Sequence, residues 1–240
     1  MAKPMRFFGF VQMFLSFLVL PFGFLIWGLS AIPGIWMFQE VSNITDPLTR
    51  LFAQGSAIGL GLLAWCIVDL LILGFFGLIL RPRTSSAQAP TQSWLTIRWA
   101  FMSLFHRLAL PSLQWMVPSF VGNIYYSMMG MKIRKGAQLN SPNMNDAYMI
   151  EVGSKTVIGG GAAINGHLFE KDGIHLSKVI IGSNCVIGSG AFIAPGCVIG
   201  DRAVIASRAV LPKFTIIPPG EVWGGIPARR IRGAPSNESE

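Results

Sequence analysis

Two of the three histidines in the chain, His167 and His175, fall within one short segment, residues 167–178 (HLFEKDGIHLSK), while His106 lies far upstream. Imidazole accepts and returns a proton near neutral pH, so either histidine of the segment is a candidate general base. Glu170 and Asn165 stand close by in sequence. The three cysteines, Cys66, Cys185 and Cys197, are odd in number and lack metal-ligand spacing, which reads as free thiols in a reducing compartment.

The elements that must position the histidines are repeats. From residue 179 the sequence has a period of six, with an aliphatic residue at Ile181, Ile187, Ile193, Ile199, Ile205, Leu211 and Ile217. Two positions before each stands a mostly small residue, from Val179 and Cys185 to Ala209 and Thr215, and Gly, Ala or Pro follows. The same pattern appears earlier at Val152, Ile158 and Ile164, and at Ile133 and Leu139. A six-residue period fits neither a helix of 3.6 residues per turn nor a hairpin ladder. It predicts short strands joined by tight turns, coiled around stacked aliphatic residues, with Gly supplying the turn dihedrals. The many Gly and Pro residues exclude an α-helix here. After Ile164 the period lapses until Ile181, so residues 167–178 must leave the coil, and loops on a rigid scaffold commonly carry function.

The repeat, closed by Gly224-Gly225-Ile226-Pro227-Ala228-Arg229-Arg230-Ile231, resembles that of the hexapeptide-repeat acyltransferases over residues 131–233. The stretch Asn165-Gly166-His167-Leu168-Phe169-Glu170 is similar to membrane-bound repeat domains at the C-termini of peptide-synthetase-like enzymes. The resemblance implies a β-solenoid, specifically a left-handed parallel β-helix of about four coils. It implies acyl transfer from an acyl-CoA, acetyl-CoA by default, to a hydroxyl or amine, with no metal. His167 matches the family's histidine base, and His175 competes for that role. Glu170 is placed to orient the ring, and Asn165 or a backbone amide to stabilise a tetrahedral oxyanion. The resemblance also implies that coenzyme A runs past Ser189, Ser207 and Lys213, with Arg229 and Arg232 meeting its phosphates; solvated surface cations are the plainer account of these last residues. Pro212 departs from the polar residue common in soluble relatives, and the family is trimeric.

The front of the chain has a different composition. Residues 1–130 hold ten charged residues and residues 131–240 hold twenty. Thirty-three uncharged residues separate Arg6 from Glu40, and residues 51–80 are interrupted only by Asp69; about 20 apolar residues suffice to cross a bilayer. Lys3, Arg6, Arg81 and Arg83 flank the pair, whereas the connecting loop carries Glu40 and Asp46. The positive-inside bias places both ends in the cytoplasm. The fold class is thus a membrane α-helical hairpin plus the solenoid: hairpin over residues 1–83, linker and interfacial segment over 84–130, β-helix over 131–233 and a tail over 234–240. Residues 84–93 read as a linker, residues 94–110 as an interfacial helix with Thr96, Ser103 and Arg107 on one face, and Pro111 and Pro118 as breaks. Residues 112–130 form either a collar that receives a lipid-linked acceptor or mere packing. Asp69 is either functional or hydrogen-bonded to a neighbouring helix, and Gly55-xxx-Gly59 offers a close helix contact.

These readings converge on a multi-pass protein of a bacterial cytoplasmic membrane. Its catalytic domain faces the cytoplasm and its acceptor is linked to, or near, the membrane. The net charge of +8 is dispersed, which argues against nucleic acid and suits anionic lipid. Two other functions share the solenoid. A γ-type carbonic anhydrase needs three metal-binding histidines, and only two lie in the repeat half; a trimeric scaffold needs none.

Overall fold

The computed structural model describes residues 7–82, 84 and 86–234; Lys3, Arg6 and Arg83 of the charge argument, and the tail beyond residue 234, lie outside them. Two helices, α1 (Phe8–Ser42) and α2 (Pro47–Leu80), are long and apolar enough to cross a membrane. Asp46 starts α2 by accepting a hydrogen bond from the Thr49 amide at 2.8 Å, with Pro47 in the first turn, a pairing that satisfies orphan helix donors. The helices cross where Gly34 meets Gly61, since a Cβ on Gly34 would lie 2.8 Å from the Gly61 Cα. Gly55 and Gly59 face open space instead, so the spaced pair expected from the sequence makes no contact within the chain.

Helix α3 (Trp94–Met116) is capped by Ser93, whose hydroxyl accepts from the Thr96 amide, and α4 (Phe120–Met128) follows Pro118. Pro111 does not end α3 as the sequence predicts; it lies inside the helix. A proline removes one backbone donor, but Ala109, Ser112 and Leu113 around it are wholly buried, and that packing carries the helix across the gap. Nor does α3 turn a single polar face to solvent, because Thr96 and His106 are buried. Gly23 of α1 lets Leu108 of α3 approach, while Gly74 and Gly77 of α2 receive Met128 and Met129. Ser112 donates to the buried Asp69 carboxylate at 2.5 Å, tying α3 to α2.

Beyond residue 131 the chain winds into three parallel sheets. The first stacks Ile133, Val152, Ile181, Ile199 and Ile217; the second Leu139, Ile158, Ile187, Ile205 and Trp223; the third Met144, Ile164, Ile193 and Leu211. Four turns are complete and a fifth is begun. Val179, Cys185, Ala191, Cys197, Ala203 and Ala209 are buried at the positions before the aliphatic residues, where small volume suits the narrow interior. All three cysteines are free. Strand Ala228–Arg232 folds back antiparallel on Val222–Gly225 and closes the second sheet.

Residues 167–178 leave the coil as an ordered hairpin, strands His167–Glu170 and Gly173–Ser177. The expected linker supplies its third strand, since Ser86–Ala89 pairs antiparallel with Gly173–Ser177. The turn-forming residues also differ from expectation. Left-handed backbone recurs every six residues at Asn184, Gly190, Gly196, Arg202, Arg208, Phe214 and Gly220, two positions beyond the glycines that follow the aliphatic residues. Those glycines serve close approach: a Cβ on Gly188 would lie 2.4 Å from the Ser207 amide of the next coil.

The interior aliphatic ladder is the main stabilising contact of this half. Ile199 is 1% exposed and its strand neighbour Val198 37%. Ile199→Ala is expected to destabilise the solubilised protein by about 2–5 kcal/mol, and Val198→Ala by less than about 1 kcal/mol, measured by denaturant unfolding.

Candidate active site

His167 lies where the chain leaves the third sheet, just after strand Ala163–Asn165. Its Nδ1 is 2.5 Å from Oδ2 of Asp146. Asp146 follows strand Met144–Asn145 with left-handed backbone, φ 61°, and its side chain is 1% exposed. A buried carboxylate must be paired and hydrogen-bonded, and this one is: the Trp99 indole donates to Oδ1 at 2.9 Å and the Gly166 amide to Oδ2 at 3.2 Å. Gly166 is a glycine for lack of room, as a Cβ there would lie 2.5 Å from the Met149 Cβ. With the carboxylate on Nδ1, the ring carries its proton there and leaves Nε2 as the basic nitrogen. The ring keeps 21% of its surface exposed, and Trp99 packs on it with ring centroids 4.5 Å apart.

A cleft of about 280 Å³ opens beside the ring, between α3 and the first coils. Trp99, Ser103, His106 and Arg107 line it from the helix; Asn145, Asp146, Tyr148, Asn165 and His167 line it from the solenoid. His106 shares a hydrogen bond between Nδ1 and the Tyr125 hydroxyl at 3.3 Å. Its Nε2, like the Tyr148 hydroxyl, is buried without a partner among the described residues. Burial lowers the His106 pKa to about 4, so this ring is neutral at physiological pH. Burial likewise pushes the Tyr148 phenol upward. The cleft therefore joins one oriented imidazole, one neutral imidazole, two amides and a phenol, a set able to take a proton from a hydroxyl or amine and hold a polar group beside it.

The other residues singled out by sequence are placed unevenly. Asn165 lines the cleft, its Oδ1 accepting from Asn145 Nδ2 at 2.8 Å. Glu170 points elsewhere: Lys213 Nζ lies 2.5 and 2.6 Å from its two carboxylate oxygens, so the partner of the His167 ring is Asp146. The His175 ring bonds Asp172 at 2.8 Å and lies 3.6 Å from Glu170, and it does not line the cleft. Its hydrogen bond holds the exposed Asp172 carboxyl below the usual range. Among the described residues, Glu170, Asp172 and His175 form the one cluster close enough to share a metal ion, but the Lys213 ammonium already sits on Glu170. Ser189 and Ser207 are exposed on adjacent coils, linked by the Arg208 amide donating to the Ser189 carbonyl. Arg229 and Arg232 are exposed on the closing hairpin. None of these four lines the cleft.

Sequence reasoning did not single out Asp146, Trp99, Asn145 or Tyr148, and it assigned His106 to the membrane side. One signal was present. Thirteen positions separate Leu139 from Val152, where two repeats would take twelve; the structure divides them as five to Met144 and eight from Met144 to Val152, so the lengthened turn is the one that presents Asp146. Nothing in the periodicity of α3 distinguishes Trp99 and His106 from core residues.

Residues 178–213 match a family model, bacterial transferase hexapeptide (six repeats). The fold is similar to that of a hexapeptide-repeat acetyltransferase from Vibrio cholerae, at 16% identity over 63% of this chain and 97% of that one, TM-score 0.48. It is similar to a maltose O-acetyltransferase from Clostridium difficile 630, at 21% identity over 57% and 89% of the two chains, TM-score 0.46. A hexapeptide transferase family protein from Anaplasma phagocytophilum aligns at 17% identity over 45% of this chain and 57% of that one, TM-score 0.33; the alignment spans little more than half of that protein. No curated protein sequence matches.

Neutral His106 has a consequence for pH. Unfolded, it takes a proton near 6.5; folded, only near 4. Between those values the unfolded state binds more protons, so stability is full above pH 6.5 and falls as the pH drops toward 4. Thermal melts of the solubilised protein are expected to lose stability from this residue with a slope of at most about 1.4 kcal/mol per pH unit, and His106→Gln to flatten the profile between pH 6.5 and 5.

Proposed function

We propose that the protein is a membrane-anchored, acyl-CoA-dependent O- or N-acyltransferase, with acetyl-CoA as the default donor and His167 as general base. The observation that carries this reading is the His167–Asp146 pair, buried on its carboxylate side and open on its imidazole side. The acceptor hydroxyl or amine gives its proton to His167 Nε2 as its oxygen or nitrogen attacks the thioester carbonyl. The tetrahedral oxyanion then collapses, the C–S bond breaks, and the imidazolium returns the proton to the departing thiolate. The products are the acyl ester or amide and free coenzyme A. Asp146 holds the ring tautomer and stabilises the imidazolium; the side-chain amides of Asn165 and Asn145, which line the cleft, serve as oxyanion donors.

In the same reading coenzyme A lies along the corner carrying Ser189 and Ser207. Its phosphates meet Arg229 and Arg232, which are available for bidentate contact, and Lys213 lies beside the strand that begins with His167. The protein is a homotrimer. Ile180, Val198 and Ile216 support this, because they stand in register on the outer face of the first sheet and are 41%, 37% and 70% exposed. A stripe of this kind commonly marks an interface. The helical hairpin lies in a bacterial cytoplasmic membrane with the solenoid inside the cell, supported by the flanking basic residues and by the apolar α1 and α2.

Calorimetric titration of the detergent-solubilised protein with acetyl-CoA tests the reading. Saturable binding is expected, unchanged in His167→Ala. Once an acceptor is found by screening, kcat is expected to fall about 10²–10⁴-fold in His167→Ala and substantially in Asp146→Asn, with the Kd for acetyl-CoA preserved in both. Failure to bind acetyl-CoA or any longer acyl-CoA would overturn the reading.

A further inference from the structure

A second hollow adjoins the His167 cleft. It is a groove of about 310 Å³ between the N-terminal half of α1 and the first turns of α3. Leu15 and Val19 form one wall, Ile97, Ala100 and Leu104 the other, and Trp99 with Phe169 close its end. Trp99 lines both hollows. One part of this residue therefore faces the apolar groove, while its indole N–H donates to the carboxylate that holds His167. Phe169 extends the same wall, its ring centroid 5.1 Å from Trp99 and 6.3 Å from His167.

The depth of the groove is set by helix length. The 35 residues of α1 span about 50 Å at 1.5 Å per residue, whereas the hydrocarbon core is about 30 Å thick. On the membrane placement proposed above, the Phe8 end, which lines the groove together with Phe169 of the hairpin, stands at the headgroup layer, and the groove runs from the acyl region toward the polar cleft. Two residues that line the cleft, His106 and Tyr148, each keep a buried polar atom, Nε2 and the hydroxyl, without a hydrogen-bond partner among the described residues. Such atoms cost stability unless something hydrogen-bonds them. A largely apolar groove, with Gln12, Ser16, Thr91 and Thr96 also on its lining, that shares Trp99 with a polar cleft beside a base fits a molecule with a hydrocarbon tail and a polar head.

We propose that the groove holds the hydrocarbon chain of a lipid-linked acceptor, whose polar head passes Trp99 into the cleft and places its nucleophile at His167. The proposal rests on the acyltransferase reading and names its acceptor class. The tail binds Leu15, Val19, Ile97 and Leu104, the head binds His106 and Tyr148, and Trp99 separates the two.

Photolabelling of the full-length protein in nanodiscs, with a hexadecanol analogue carrying a mid-chain diazirine, tests this. Labels are expected to concentrate on peptides containing Leu15–Val19 and Ile97–Leu104 and to be lost in Ser16→Trp and in Ala100→Trp, which fill the groove from opposite walls. Both positions are exposed, so the substitutions leave folding and acetyl-CoA binding intact. Labels spread evenly over the lipid-facing surfaces of α1 and α2, unchanged in both variants, would overturn the groove. Displacement of the label by palmitoyl-CoA but not by unlabelled hexadecanol would assign the groove to the donor's chain and overturn the acceptor. Specific labelling of a protein that binds no acyl-CoA in calorimetry would instead overturn the transferase reading and, with it, the acceptor assignment.

Discussion

The Asp146 carboxylate is the point through which the two halves of the molecule communicate. Three donors reach it from three places: the indole of Trp99 on α3, the amide of Gly166 on the coil, and the ring of His167 at the start of the hairpin. A carboxylate buried this far is tolerable only while it keeps such donors. Removing any one leaves the buried carboxylate short of a donor, so helix, coil and hairpin must be in register together. The orientation of the imidazole is therefore a property of the assembled chain rather than of the solenoid alone.

The two long apolar helices, α1 and α2, support that register by close packing. Gly34 against Gly61 brings α1 and α2 together, Gly23 admits Leu108, and Gly74 and Gly77 admit the methionines that end α4. Small residues at helix contacts let backbones approach closely. Asp69 adds a polar tie, since its partner Ser112 lies on the far side of Pro111 from the cleft residues of α3. Position along α3 is thus fixed at both ends, by Ser112 in one direction and Trp99 in the other.

Much of this architecture was legible in the sequence because it is periodic. The interior ladder from Ile181 to Ile217 and the two apolar stretches each repeat a simple constraint, burial in a narrow coil or in lipid. His167 was legible because it interrupts that period. Its partner was not, because Asp146 acts through a single turn, and one extra residue between Leu139 and Val152 is a small signal beside the twelve regular positions. Glu170 looked the natural orienter by proximity, yet along a strand it sits three residues from His167 and meets Lys213 on the coil. Trp99 and His106 were hidden for another reason: an aromatic on a helix of mixed periodicity reads as packing until the surface it faces is known.

The pairing of Ser86–Ala89 with Gly173–Ser177 also has a biosynthetic meaning. The strand just after the second span emerges from the ribosome some ninety residues before its partner. Through that interval its edge and the apolar faces of α3 and α4 have no solenoid to rest on, and contacts of such long sequence separation form late. The helical hairpin α1–α2 is complete in the chain well before the coils and must hold this region until they arrive. Completion of the pocket around His167 then waits on the third strand, so a chain ending between residues 90 and 173 carries both long helices without that pocket.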